Sequence, residues 1–386
     1  MNIELGLCRR AMPALNGKER EGAGMTRVLL WYWGRRGGGA QFALTLARAL
    51  APGGLALSVS RQNALISTFR ALPVPRQEVG TYNGVAGFAA GFARLPALAA
   101  RLRRFAEEQD ASVVLSGMSH PWTPFVAPAL ARAGLTFVPV VHDAAPHPGD
   151  PAPLFGWRLD RELAAARAAV VLSDTVAEAI AARRPDLPLI RLTMGAHLPH
   201  GTATAPLRSD FLFFGRIRRY KGLDLLRDAW PAVRAAHPNA TLRILGEGDL
   251  EACAPGLAAL PGVSAELRWV ADETMAAEVA SAGALVMPYR EASQSGVAPI
   301  ALALGVPVIA TAVGGLETQV ENGRSGLVVP PEPAALAAAM LRLRDPVLRT
   351  HLAAGARQAG EVLSDWRVQA AVLRSGIARM LVPVNA

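Results

Sequence analysis

Short aliphatic runs alternate with longer alanine-rich stretches along this chain of 386 residues, and the alternation occurs twice. In the first series, positions 28–33, 55–60, 112–116, 136–141 and 169–172 read as strands, with helices over 37–50, 95–106 and 158–166. Such strands lack polar alternation, so both of their faces must be covered, as in a parallel sheet flanked by helices. The second series begins near residue 209, with strands expected over 211–214, 241–245, 267–270, 284–287, 306–310 and 326–329. Its helices are expected over 223–236, 272–281, 295–304 and 333–343. The polar, turn-rich stretch 197–209 separates the two series. An α/β chain of two Rossmann-like domains follows, and 51% apolar residues suffice for two cores. In open α/β sheets ligands lie beyond the carboxyl ends of the strands, so two such sheets place the site in the cleft between them.

The charge balance restricts the partners. Lys and Arg number 40 against 31 Asp and Glu, a net +9 that favours phosphates or an anionic surface. Nucleic acid does not fit, because the arginines are scattered and lack interleaved aromatics. Leu95, Leu98, Leu102 and Phe105 share one helical face flanked by Arg94, Arg101 and Arg104, a pattern suited to peripheral contact with an anionic membrane and equally to ordinary core packing. Cys8 and Cys253 form neither a disulfide framework nor a metal spacing, which suits the cytosol. No apolar run reaches the roughly 18–20 residues of a membrane span. Residues 1–24 read as a loose tail without an apolar leader core, and Met25, just ahead of the first strand, is a plausible start.

Every chemically suggestive motif falls at the end of an expected strand. In Phe213–Gly222 (FFGRIRRYKG) a strand ends at Gly215, Arg216 and Lys221 follow, and a helix begins near Gly222. Two cations beside a helix N-terminus make an anion site. Gly246 and Glu247 lie in a Gly-Glu-Gly turn that implies close backbone approach. After the strand ending at Met287, Glu291 precedes Ser295, Gly296 and Val297, whose N–H groups are placed to hold a diphosphate. Glu291 offers acceptors for sugar hydroxyls. In the first half, Gly38 and Gly39 sit between strand and helix, but Gly37-Gly38-Gly39 lacks the Gly-x-Gly-x-x-Gly spacing of a dinucleotide fold. His142 and Asp143 end another strand, while Arg35 and His120 sit where an acceptor would approach.

Taken together, the Gly-Arg…Lys-Gly element, the Leu-Gly-Glu-Gly turn, the Glu291 loop, Gly-Val-Pro-Val-Ile-Ala-Thr (305–311), Val-Gly-Gly-Leu (313–316) and 321–331 resemble glycosyltransferase family 4, the retaining GT-B enzymes, over residues 209–335. The resemblance implies an acceptor-binding domain over 25–205, a donor-binding domain over 206–365 and a C-terminal helix over 366–386 packing back on the first. It also implies transfer of a sugar, with retention, from a nucleotide diphosphate sugar to a hydroxyl on a glycan or lipid-linked glycan. No metal or other cofactor is implied, and no Asp-x-Asp cluster is present to hold a cation. Arg216, Lys221, Glu291 and His142 take catalytic roles; Gly38, Gly39, Asp143, Gly215, Gly246, Glu247, Ser295, Gly296 and Val297 face the donor; Arg35 and His120 face the acceptor. One departure stands out: the family's second glutamate, eight positions past Glu291, would fall at Pro299 or beside it at Ile300, and no carboxylate is there. That loss keeps open a non-catalytic or hydrolytic sugar-nucleotide-binding homologue, and a sugar-nucleotide epimerase is the other alternative.

Overall fold

A computed structural model describes residues 26–148, 153–198 and 207–381. The expected tail over 1–24 and most of the expected join over 197–209 lie outside the described residues.

Strands β1 (Val28–Tyr32), β2 (Leu55–Ser60), β3 (Arg76–Val79), β4 (Val113–Ser116), β5 (Thr136–Val141), β6 (Ala169–Val171) and β7 (Leu189–Arg191) form one sheet. Its order is β3-β2-β1-β4-β5-β6-β7, parallel throughout. Strands β8 (Ser209–Phe214), β9 (Leu242–Leu245), β10 (Val263–Glu266), β11 (Ala282–Met287), β12 (Val308–Thr311) and β13 (Gly326–Val329) form the second, ordered β10-β9-β8-β11-β12-β13 and also parallel.

β1 shows why these runs read as continuous apolar sequence. Val28, Leu30 and Tyr32 enter one hydrophobic cluster, while Leu29, Trp31 and Trp33 enter another on the opposite face. Side chains alternate across a strand, so a strand covered on both sides is apolar at every position.

The edges depart from expectation. β3 and β7 are not apparent in the sequence because edge strands need only one or two inward residues. In β3, Gln77 and Val79 are buried, while the outward Arg76 and Glu78 pair at 3.2 Å. The strand expected over 267–270 is a correction: β10 occupies Val263–Glu266, and Leu267 and Trp269 are exposed. Apolar character there serves a surface rather than a sheet.

Near the C-terminus the chain passes from one core to the other. The helix Pro346–Ser364 buries Leu352 and Ala356 in the second core. After Asp365, the helix Trp366–Leu381 buries Trp366, Ala370, Leu373 and Ile377 in the first, one face at helical spacing. Trp366 meets the edge of Phe42 at 5.6 Å and donates its indole N–H to the Ala196 carbonyl at 2.5 Å. Trp366→Ala is expected to cost about 3–5 kcal/mol of stability through the cavity it leaves; urea unfolding measures the loss.

Candidate functional site

Chain order reverses in each sheet at one strand pair, β1/β4 in the first and β8/β11 in the second. The loops leaving such a pair diverge to opposite faces and open a crevice between them. Most of the residues singled out in the sequence lie on the loops that leave these strand ends.

In the second domain the loop backbones touch directly. A Cβ on Gly222 (φ +66°) would meet the Pro288 carbonyl oxygen, and one on Gly246 (φ +154°) the Gly215 oxygen, each at 1.8 Å. Ile217 N–H donates to the Glu247 carbonyl at 2.9 Å, and Arg290 N–H to the Tyr220 carbonyl at 2.8 Å. The close approach foreseen at Gly-Glu-Gly is therefore to the neighbouring loop. That corrects the donor-facing reading of Gly246, which is buried under Gly215, while the Glu247 side chain is exposed.

These contacts fix Lys221. Its Nζ lies 3.7 Å from the centre of the Tyr289 ring and 5.0 Å from that of Tyr220. Burial, against the opposing pull of Tyr220 and Asp143 and with a smaller push from neighbouring Arg216, brings the ammonium down to about 8. Among the described residues Lys221 has no carboxylate within ion-pair distance. Arg216 is exposed beside it. The helix Leu223–Ala236 starts immediately after, with no side-chain cap on its N-terminus. Asp224 in its first turn is engaged by Arg290 (Nη2–Oδ2 2.5 Å), which ties the β11 loop to this helix.

The β11 loop corrects a second expectation. Ser295 N–H donates to Gln319 Oε1 at 2.8 Å, Gln319 Nε2 donates back to the Ser295 carbonyl at 2.9 Å, and Val297 N–H donates to Ser295 Oγ at 3.2 Å. Two of the three N–H groups expected to hold a diphosphate are thus already bonded. Gly296 stands open, with nothing within 4 Å of where a Cβ would sit. Glu291 is exposed, and Pro299 and Ile300 are buried in the helix Val297–Ala303.

Across the crevice, His142 donates from Nε2 to the Gly117 carbonyl at 3.0 Å and meets the edge of Phe42. Burial lowers its pKa and keeps the imidazole neutral, against the Gly117 bond and Asp143. Asp143 is held ionised: burial raises it, but bonds from His147 (3.2 Å) and Ser293 more than compensate. Gly38 is open, whereas Gly39 packs against Met118, whose Sδ a Cβ there would meet at 2.6 Å. Arg35 lies over the Tyr82 ring, 4.9 Å from its centre. His120 is a third correction. It is buried among Trp33, Tyr82 and Trp122 instead of facing an acceptor, and that burial, with Arg158 and Arg35 nearby, lowers its pKa to about 3.

The two loop sets meet. The His147 ring stacks on Tyr220 at 4.4 Å, Gln294 Nε2 donates to the His142 carbonyl at 3.3 Å, and Arg36 lies over Trp269 at 5.2 Å. Sequence reasoning missed His147, Ser293, Gln294 and Gln319. The only local signal was for His147, four residues after Asp143 in a proline-rich loop.

Residues 36–191 match the family described as Glycosyltransferase Family 4, and residues 208–345 the family described as Glycosyl transferases group 1. A D-inositol 3-phosphate glycosyltransferase of Jonesia denitrificans is 40% identical over 166 residues, 40% of this chain and 39% of that one. A glycogen synthase of Mycobacterium tuberculosis is 33% identical over 167 residues, 42% of this chain and 40% of that one. The matches thus span about two fifths of the length of these curated relatives. Among solved structures, a sucrose-phosphate synthase from Thermosynechococcus elongatus superposes with a TM-score of 0.68 at 20% identity, covering 92% of this chain and 99% of that one. Anabaena HepE, in complex with UDP and glucose, superposes with a TM-score of 0.67 at 16% identity, covering 93% of this chain and 100% of that one. These likenesses show the GT-B fold.

The lowered Lys221 pKa gives a signed expectation. Below about 8 the ammonium is charged, and as pH rises through that value the charge is lost, well before an ordinary lysine titrates. Affinity for a nucleoside diphosphate is expected to fall from about pH 8 upward in the wild type, and to hold in Lys221→Arg, by calorimetry across pH 7–10.

Proposed function

The chain belongs to the family-4, group-1 glycosyltransferases, and from that premise we propose that it moves a sugar from a nucleotide diphosphate sugar to a hydroxyl acceptor, with retention of anomeric configuration. The observation that carries this reading is Lys221, a desolvated ammonium with no carboxylate partner among the described residues, beside Arg216 at the β8/β11 crevice.

Negative charge accumulates on the departing diphosphate as the glycosidic bond breaks. On this reading Lys221 and Arg216 lie where that charge develops, and the position of Lys221 is set before substrate arrives, so its stabilisation needs no reorganisation. This supply of positive charge from side chains supports a reaction that needs no metal ion. Open Gly38, Gly215 and Gly296 leave room for the phosphates to approach the backbone. Exposed Glu291 offers acceptors to sugar hydroxyls. Neutral His142 and ionised Asp143 face the same crevice from the first domain, which would carry the acceptor. The names of the relatives support hydroxyl acceptors, and a glycan or lipid-linked glycan of the cell surface is the class proposed. Lys221→Ala is expected to lower transfer by at least about 100-fold while the melting temperature is kept. Near-normal turnover in that variant would sink the assignment, and the anomeric proton of the product, read by NMR, tests retention. Donor hydrolysis without any transfer would favour the hydrolytic alternative.

A peripheral location on the inner face of the cytoplasmic membrane is supported by one surface of the first domain. The apolar stripe of the helix Leu95–Glu108 is buried in the core and so is not the lipid-facing element. Its arginine face, Arg94, Arg101 and Arg104, is exposed. An aromatic ridge is exposed on the same domain: Phe92 (39%), Phe125 (40%) and Trp157 (42%), with ring centres 5.3 and 5.5 Å apart. Two apolar rings and an amphipathic tryptophan, with Arg161 over the Trp157 ring, suit a headgroup layer. No described helix is long and apolar enough to cross a membrane. Sedimentation with phosphatidylglycerol vesicles is expected to carry the protein down and with phosphatidylcholine vesicles to leave it in solution; Phe125→Ser with Trp157→Ser is expected to abolish the binding.

A further inference from the structure

A cavity of about 200 Å³ opens beside His142, between the end of β5 and the helix Phe155–Ala165. It is set apart from the loops assigned to the phosphates. One wall is apolar, made by Met118, Phe155 and Leu159. The other carries Ser119, from the loop after β4, and Arg158 and Glu162, one turn apart on the helix.

These polar groups are incompletely satisfied. Glu162 is buried (3% exposed), with no cation within ion-pair distance among the described residues. Its Oε1 accepts from Ser119 Oγ at 2.5 Å. Burial pushes its carboxyl up to about 7 against the pull of Ser119 and Arg158. Arg158 donates from Nη2 to Ser119 Oγ at 3.1 Å, while its buried Nε has no partner. A guanidinium and a carboxyl four residues apart on a helix ordinarily close on each other. Here Ser119 stands between them and both line the cavity.

We propose that Ser119, Arg158 and Glu162 form the subsite for the acceptor's reacting ring, an uncharged sugar or cyclic polyol. The proposal rests on the transferase reading above. Its physical grounds are separate. Hydroxyls both donate and accept, and this wall offers guanidinium N–H donors at Arg158 and carboxyl acceptors at Glu162. The apolar wall suits the C–H face of a ring. The volume equals the share of roughly six or seven water molecules, room for one ring and not for a chain. Ionised Asp143 also lines the cavity, so a single arginine leaves no excess positive charge, which favours a neutral ring over a phosphate. Through Asp143–Ser293 and Gln294–His142 the same strand end touches the β11 loop, so a ring held here lies against the donor side.

Saturation-transfer NMR on the full chain with glucose, galactose, mannose and myo-inositol tests the site. At least one ring is expected to bind, and Arg158→Gln and Glu162→Gln are each expected to weaken it roughly tenfold, the scale of a lost hydrogen bond to a charged group. Ser119→Ala, which removes the bridge at little cost in volume, is expected to weaken it in the same direction and guards against misfolding of the other two. Binding of uridine, adenosine and guanosine diphosphates, titrated separately, is expected to be unchanged in all three variants. No ring bound by the wild type, or rings bound equally by all variants, would overturn the proposal. A chain that binds the rings but no nucleotide would instead overturn the transferase reading and leave this site standing.

Discussion

The second domain depends on backbone-to-backbone contact at its strand ends. Gly222 packs on Pro288, Gly246 on Gly215, Gly248 on Ile217, Gly314 on Ala292 and Gly315 on Ser293, and a Cβ at any of them would come within 2.5 Å of a carbonyl oxygen. No side chain fits at these points, so main-chain atoms set the closest approach of the loops, and the Arg290–Asp224 pair and the Gln319–Ser295 bonds brace them. A side chain anchored on such a loop inherits that precision. Lys221 is held over Tyr289 by this means, since Gly222 abuts Pro288 on one side and Arg290 N–H reaches the Tyr220 carbonyl on the other. Preorganisation is thus a property of the loop packing before it is a property of the lysine.

The charge at Lys221 has an energetic consequence. A fall from 10.5 to about 8 corresponds to about 3 kcal/mol by which the folded protein disfavours the ammonium relative to water. The Tyr289 ring offsets part of the desolvation. An anion arriving in the crevice relieves the remainder, so binding is coupled to protonation at this residue. Arg216, exposed and always charged, adds attraction without that coupling. In the proposed reaction the two cations would divide the work: Arg216 would steer the anion and Lys221 would respond to the bound state.

Much of this was legible in the sequence, and the limits of that reading are physical. Gly215, Arg216, Lys221 and Glu291 were placed correctly at strand ends because strand and helix periodicity are local signals. The helices over 223–236 and 333–343 were legible for the same reason. The strand expected over 267–270 failed because a short apolar run carries no mark of which side of a turn it lies on. The occupation of Ser295 by Gln319, 24 positions away, had no local signature. Nor did the approach of Glu162 to Ser119, 43 positions apart, or the stacking of His147 on Tyr220 across the domains. His120 misled for a related reason: a histidine after a strand looks the same whether it faces a cleft or an aromatic core. Contacts made by tertiary folding, rather than by chain neighbours, decide such residues.

Among the described residues the facing loops are joined by single side-chain contacts, the Asp143–Ser293 bond included, of a kind easily remade. A ring stack such as His147–Tyr220 contributes about 0.5–1.5 kcal/mol, and the Gln294–His142 bond about as much. The Arg36–Trp269 pair is exposed and weaker still. By contrast, the helix Trp366–Leu381 commits an entire apolar face to the first domain while its predecessor is committed to the second. The robust connection between the domains therefore lies in this C-terminal crossing, and the crevice face is held lightly. For the proposed transfer, such a division would let the crevice open for a bulky donor and close on it without disturbing either core, as a reaction that must exclude water requires.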